Sequence, residues 1–153
     1  MEKTLIILKP SAIERGLVGE ILSRFERKRL FFSGLKMIQL SDAILNEHYA
    51  HLKDKPFFES LKLAMQATPV VVCCFEGKDA VRVVRNMCGE TNARNAKPGT
   101  IRGDYGMCVV RNVIHASDSI ENAKVEINRF FKPEELLTYR PSNIDFFYGT
   151  GEI

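Results

Sequence analysis

Six consecutive apolar residues, Val70–Val71–Val72–Cys73–Cys74–Phe75, constrain this chain more than any other stretch. Thr68–Pro69 stands before them and Gly77 after, and the run is rich in β-branched residues. Its length and bounds read as a strand, and a strand apolar throughout belongs at the centre of a sheet. It is also the longest apolar run in the chain. It cannot cross a hydrocarbon layer of roughly 30 Å, so no membrane span is expected.

The other elements follow by periodicity. Thr4–Leu8 is a buried first strand stopped by Lys9–Pro10. Val18, Ile21, Leu22 and Phe25 mark an amphipathic helix, although Arg29 stands where a glycine would end it more cleanly. Leu30–Leu40 reads as the second strand. Asp42 is expected to cap a short helix in which Leu45, Tyr49 and Leu52 share a face, and Pro56 to open another that runs to about Gln66. Ala80, Val83, Val84 and Met87 give a further helix. Gly89–Tyr105 has no periodicity and reads as a long loop. Met107–Ile114 is the expected fourth strand. A helix then opens around Asp118–Ser119–Ile120–Glu121, with Ile120, Ala123, Ile127 and Phe130 on one face. After Pro133 an aromatic tail must lie on its own domain or on a neighbouring chain.

This order predicts an α+β fold of the ferredoxin-like βαββαβ kind. It has a four-stranded antiparallel sheet with helices on one face, a helical insert and a long loop before the last strand. One domain is expected to span residues 1–153. No secretory leader is visible at the start, and Cys73, Cys74, Cys88 and Cys108 form no CxxC pair. A cytoplasmic protein with reduced thiols is therefore expected. A net charge of +3 does not suggest a polyanion-coating protein, though a few cations can still converge on one anion. RNA-binding domains share the βαββαβ order, but their aromatic strand pattern is missing, so nucleic acid is not an expected partner.

The chemistry concentrates at Arg111–Ser119. His115 follows two β-branched residues, which hold it on stiff extended backbone. A fixed, largely neutral imidazole beside cations can accept a phosphoryl group; equally, it can be a buried histidine at a strand end. Neither GxxxxGK[ST] nor GxGxxG occurs, so an anion site has to be built from side chains. Lys9, Arg85, Thr91, Arg102, Arg111 and Asn112 have suitable chemistry. His48 and His51 stand three apart on an expected helix, but no third metal ligand has a clear place. No protein-held metal is expected.

Several segments occur together in a recognisable order: Thr4–Pro10, Glu47–His48–Tyr49, Lys55–Phe58, Gly89–Asn92, Pro98–Asp104 and Asn112–Ser119. With NxxH-x-SDS and PGTIRGD in one chain, the sequence closely resembles nucleoside diphosphate kinases from about residue 2 to Leu137. The resemblance implies reversible ping-pong transfer of the γ-phosphate of a nucleoside triphosphate, usually ATP, to a nucleoside diphosphate. The carrier is a phosphohistidine on His115. It implies catalytic roles for His115, Glu126, Ser117 and Tyr49, and nucleotide binding by Lys9, Phe57, Arg85, Thr91, Arg102, Asn112 and Val109. Phe57 would stack on the base, with Val109 opposite. Mg²⁺ would be held mainly by the nucleotide's phosphates, with Asp118 at its hydration shell. The resemblance further implies a homo-oligomer. A tail at 138–153 of this length favours a hexamer over a tetramer and is expected at a subunit interface. Ser11, Ala93, Val110 and Ala116 depart from the commoner pattern, which often has aspartate, proline, glycine and glycine there.

Overall fold

The computed structural model describes residues 1–153. Its strands are β1 (Glu2–Leu8), β2 (Phe31–Ile38), β3 (Val70–Gly77) and β4 (Ile114–Ala116). The helices are α1 (Pro10–Glu14), α2 (Val18–Arg27), α3 (Asp42–His48), α4 (Phe58–Gln66), α5 (Ala80–Cys88), α6 (Ile101–Tyr105) and α7 (Ile120–Phe130). The sheet runs β2-β3-β1-β4 and every pairing is antiparallel, as the βαββαβ reading predicts. The apolar run is indeed central: all of β3 is buried, between β1 and β2.

Side-chain alternation along β1 divides the interior in two. Ile6 and Leu8 face a core shared with Ala12, Ile21, Phe25, Ala80 and Val84. Leu5 and Ile7 face a second core with Leu45, Phe58, Leu61, Met65, Ile127 and Phe130. Helices therefore cover both faces, not one. The insert helices α3 and α4, together with α7, cover the face that a minimal βαββαβ unit leaves open. This wrapping explains why β3 tolerates no polar position along its centre.

The fourth strand is shorter and later than expected. Met107–Val113 is not strand; Met107, Val109 and Val110 are exposed. Two backbone features forbid extension of the ladder. Pro10 turns β1 into α1, so the pairing ends with the bond from the Lys9 N–H to the Val113 carbonyl at 2.9 Å. Val113 has φ +74°, and the Ile114 N–H bonds the Asn112 carbonyl at 2.8 Å, a tight three-residue turn. The long loop also holds a helix: Thr100 Oγ1 accepts from Gly103 N at 3.1 Å and caps α6. Ser41, not Asp42, caps α3. Pro56 lies in a turn before α4, and α1 was not expected at all. On α5 the buried set is Ala80, Val81, Val84 and Cys88, and on α7 Ile120 is exposed.

The end of α2 turns on the residue that looked wrong for it. Arg29 adopts φ +68°, while Arg29 N–H reaches the Glu26 carbonyl and Leu30 N–H the Phe25 carbonyl at 2.9 and 3.1 Å. This is a Schellman stop with arginine in the glycine place. The guanidinium then lies 3.7 Å over the Phe147 ring, which ties the tail to its own subunit. Leu137 N–H donates to the Ser33 carbonyl at 2.7 Å, and Tyr139 packs on Phe31, so the aromatic tail runs back beside β2.

Candidate active site

His115 is the middle residue of β4, opposite Ile7 of β1. Its neighbours Ile114 and Ala116 face the core beneath α5, so alternation turns the imidazole to the other face, under α3 and α7. Its Nε2 lies 2.9 Å from Glu126 Oε1 on α7. The second carboxylate oxygen accepts from Ser117 Oγ at 2.5 Å, and that hydroxyl also accepts from the Leu5 N–H at 3.3 Å. Burial alone would raise the Glu126 carboxyl. The bonds from His115 and Ser117 outweigh burial and hold it below the usual carboxylate range. An ionised carboxylate can only accept, so the neutral His115 ring carries its hydrogen on Nε2 and its lone pair on Nδ1.

A cleft of about 660 Å³ opens above this ring. Lys9, Tyr49, Phe57, Arg85, Thr91, Arg102, Val109, Asn112, His115 and Glu126 all line it. Ser117 does not; it is fully buried behind the wall, touching Glu126. The strained turn at Val113 lets the chain present Asn112 to the cleft two residues before the β4 ladder begins. Lys9 Nζ donates to Asn112 Oδ1 at 2.7 Å, and Asn112 Nδ2 donates to the Thr91 carbonyl at 2.9 Å. These two bonds fasten the long loop to the ends of both strands. Burial, and next the charge of Arg102, lower the Lys9 ammonium to about 8.

The two predicted arginines differ. Arg102 is buried, and its guanidinium bridges the carbonyls of Gly89 and Ile114 at 2.7 and 2.8 Å. Its Nε–H finds no protein acceptor. Arg85 is exposed and only loosely held, 3.5 Å from the Ala116 carbonyl. Arg111 is exposed and does not line this cleft. Phe57 and Val109 are both about half exposed at the mouth. The Tyr49 hydroxyl is buried without a protein partner, and burial pushes its ionisation well above the usual phenol range.

Sequence reasoning gave three residues here no role beside His115, although it weighed His48 as a metal ligand with His51. His48 is buried with its ring 4.6 Å from that of His115, and Arg129 lies 3.2 Å from its Nδ1. Glu47 holds Arg129 from outside at 2.8 Å. Burial, and next the charge of His115, push the His48 imidazole down to about 3, so it is neutral near pH 7. The anticipated partner of His48, His51, is instead exposed on the Ala50–Leu52 turn. The signal for Arg129 was its place three residues after Glu126, on the same face of α7.

For magnesium the fit is limited. Glu126 is committed to His115 and Ser117, and exposed Asp118 accepts from Asn122 at 2.6 Å. That leaves at most one carboxylate for a hard cation, which suits an ion carried mostly by phosphates.

A lone pair fixed on one imidazole nitrogen, in a cleft lined by ammonium and guanidinium groups, is the equipment of a phosphotransferase. Comparison with known proteins narrows the class. A profile described as nucleoside diphosphate kinase matches residues 2–136. A nucleoside diphosphate kinase of Parabacteroides distasonis is 57% identical over 152 residues, 99% of each chain. Nucleoside diphosphate kinase B of Bos taurus is 49% identical over 96% of this chain and 97% of its own. Among solved structures, the Halobacterium salinarum nucleoside diphosphate kinase in complex with CDP superposes with a TM-score of 0.94 at 39% identity, covering 97% of this chain and 99% of that one. The chain belongs to the nucleoside diphosphate kinase family, and it is a phosphotransferase acting on nucleotides.

Proposed function

We propose that the transfer runs in two half-reactions through His115. Nδ1 attacks the γ-phosphorus of a nucleoside triphosphate, the P–O bond to the leaving diphosphate breaks, and the diphosphate departs. A second nucleoside diphosphate then takes the phosphoryl group from the nitrogen. The observation that carries this reading is the 2.9 Å contact between Nε2 and Glu126, because it leaves Nδ1 as the nucleophile and balances the charge the ring acquires. Ser117 holds Glu126, and the free Tyr49 hydroxyl faces the group in transit. Lys9, Arg85, Thr91, Arg102 and Asn112 bind phosphates and sugar hydroxyls, and the base lies between Phe57 and Val109. Stacking and apolar contact discriminate little between bases, which suits broad use of nucleotides. Mg²⁺ would be held through the nucleotide's phosphates and would neutralise charge there.

The reading extends to assembly. One domain spans residues 1–153 and forms a homo-oligomer, with a hexamer favoured over a tetramer. The outer edge of β2 carries no further strand and exposes Leu35 and Met37, while the tail at 138–153 exposes Tyr139, Phe146 and Phe147. Such surfaces support burial against further copies. No helix is long and apolar enough to cross a membrane, and a cytoplasmic location is part of the proposal.

The test is incubation with γ-labelled ATP and Mg²⁺. Wild type should acquire an acid-labile label, and His115→Ala, folded by circular dichroism, should acquire none. An unlabelled, folded wild type would refute the proposal.

A further inference from the structure

We infer that His48, His115 and Glu126 form a binding site for one Zn²⁺ ion, and that filling it switches the nucleophile off. Glu126 Oε1 lies 2.9 Å from His115 Nε2 and 3.8 Å from His48 Nδ1. One ligand atom from each of the three residues falls within 4.8 Å of the others. Tetrahedral zinc, with bonds of about 2.0–2.2 Å, sets such atoms roughly 3.3–3.5 Å apart. The widest of these separations must shrink by at most about 1.5 Å, shared between the two imidazoles, to close the triangle, and a fourth position stays open. Two imidazole nitrogens and one carboxylate oxygen suit zinc, whereas Mg²⁺ prefers oxygen alone, so the site selects against the ion that accompanies the nucleotide.

The protonation pattern is half prepared. Arg129 N–H donates to His48 Nδ1 at 3.2 Å, so that nitrogen already has its lone pair outward, and the ring's hydrogen is on the buried, unpartnered Nε2. The competitor for the lone pair is Arg129 itself, held by Glu47. On His115 the hydrogen must leave Nε2 before zinc can bond there. It passes through solvent to Nδ1 of the same ring, so no net proton, electron or co-reactant is needed. A ring metallated at Nε2 and protonated at Nδ1 has no lone pair with which to attack phosphorus. Chelation of the ion reverses the change. The binding stands on geometry alone; the switching rests on the phosphohistidine reading.

Calorimetric titration of the metal-free, nucleotide-free full chain with ZnCl₂ tests the binding. One tight site per subunit is expected. His48→Gln and Glu126→Gln should each weaken it by at least about tenfold. Arg129→Gln should tighten it, because the competing donor is gone. Co²⁺ in the wild type, which needs no variant to fold, should give the visible bands of a four-coordinate nitrogen–oxygen site. No stoichiometric uptake, loss of uptake in Cys108→Ser, or an Arg129→Gln variant that binds no tighter would overturn the site. For the switch, zinc is added before substoichiometric γ-labelled ATP with excess Mg²⁺. Labelling should stop and return on chelation with Mg²⁺ restored; undiminished labelling overturns it. If metal-free wild type takes no label, the phosphohistidine reading has failed, and the calorimetry still judges the zinc site.

Discussion

Replacing Lys9 by methionine should make the protein more stable and less able to bind nucleotide. The side chain is nine-tenths buried, and its ammonium is lowered from 10.5 to about 8, first by burial and then by Arg102. At about 1.4 kcal/mol per unit of pH, that depression is a native-state penalty of roughly 3 kcal/mol on the charged form. Methionine is nearly isosteric and removes it. The variant also loses the donor to Asn112 Oδ1, which costs about 1–2 kcal/mol. The net gain near pH 7 is roughly 1–2 kcal/mol, or about 3–6 °C in Tm for a chain of this size. The sign with pH follows from proton counting. Below about 8 both states of the wild type are protonated and the penalty is complete. Between about 8 and 10.5 the folded lysine has lost its proton while the unfolded one keeps it, so wild-type stability rises with pH. The advantage of Lys9→Met should shrink across that window and reverse above it, where only the lost hydrogen bond remains. Paired denaturant titrations at pH 7, 9 and 10.5 measure this, because other titrating groups cancel in the difference. A methionine variant less stable at pH 7, or a difference flat with pH, would show that the buried ammonium is not strained. Nucleotide affinity measured on the same samples should fall.

Phe57→Ala should weaken nucleotide binding by about 1–3 kcal/mol, the worth of one stacked base, with the phosphoenzyme still forming at saturation. Unchanged affinity removes Phe57 from the base site. Glu126→Gln should lower turnover by about a hundredfold or more with little change in KM, since it removes the charge that balances the ring and weakens control of the tautomer. Nitrogen NMR of the histidines should show a mixed tautomer in place of a single Nε2–H form, and an unmixed spectrum with full activity would end that account. Met37→Glu, on the exposed edge strand, should lower the oligomer mass read by light scattering without unfolding the subunit.

Local sequence was enough for the elements whose signal is periodic. Alternation and apolar runs place β1, β3, α2 and α7, because one side chain's burial repeats along each of them. The order of elements gave the sheet. His115 and its partners were legible only through the resemblance, since spacing alone left the ring open to a purely structural reading. Three kinds of feature were invisible. The apolar stretch Met107–Val113 reads as strand, but Pro10 turns the chain just after β1, and past the bond from Lys9 to Val113 no neighbour remains to pair with it. The insert covers the second face of the sheet, which no local pattern announces. Arg129 meets His48, and His48 meets His115, only because α3 and α7 are packed over the face to which the middle residue of β4 turns. Composition along a chain fixes which side chains seek burial; which charged groups come within three ångströms of one ring depends on how separate elements close over it.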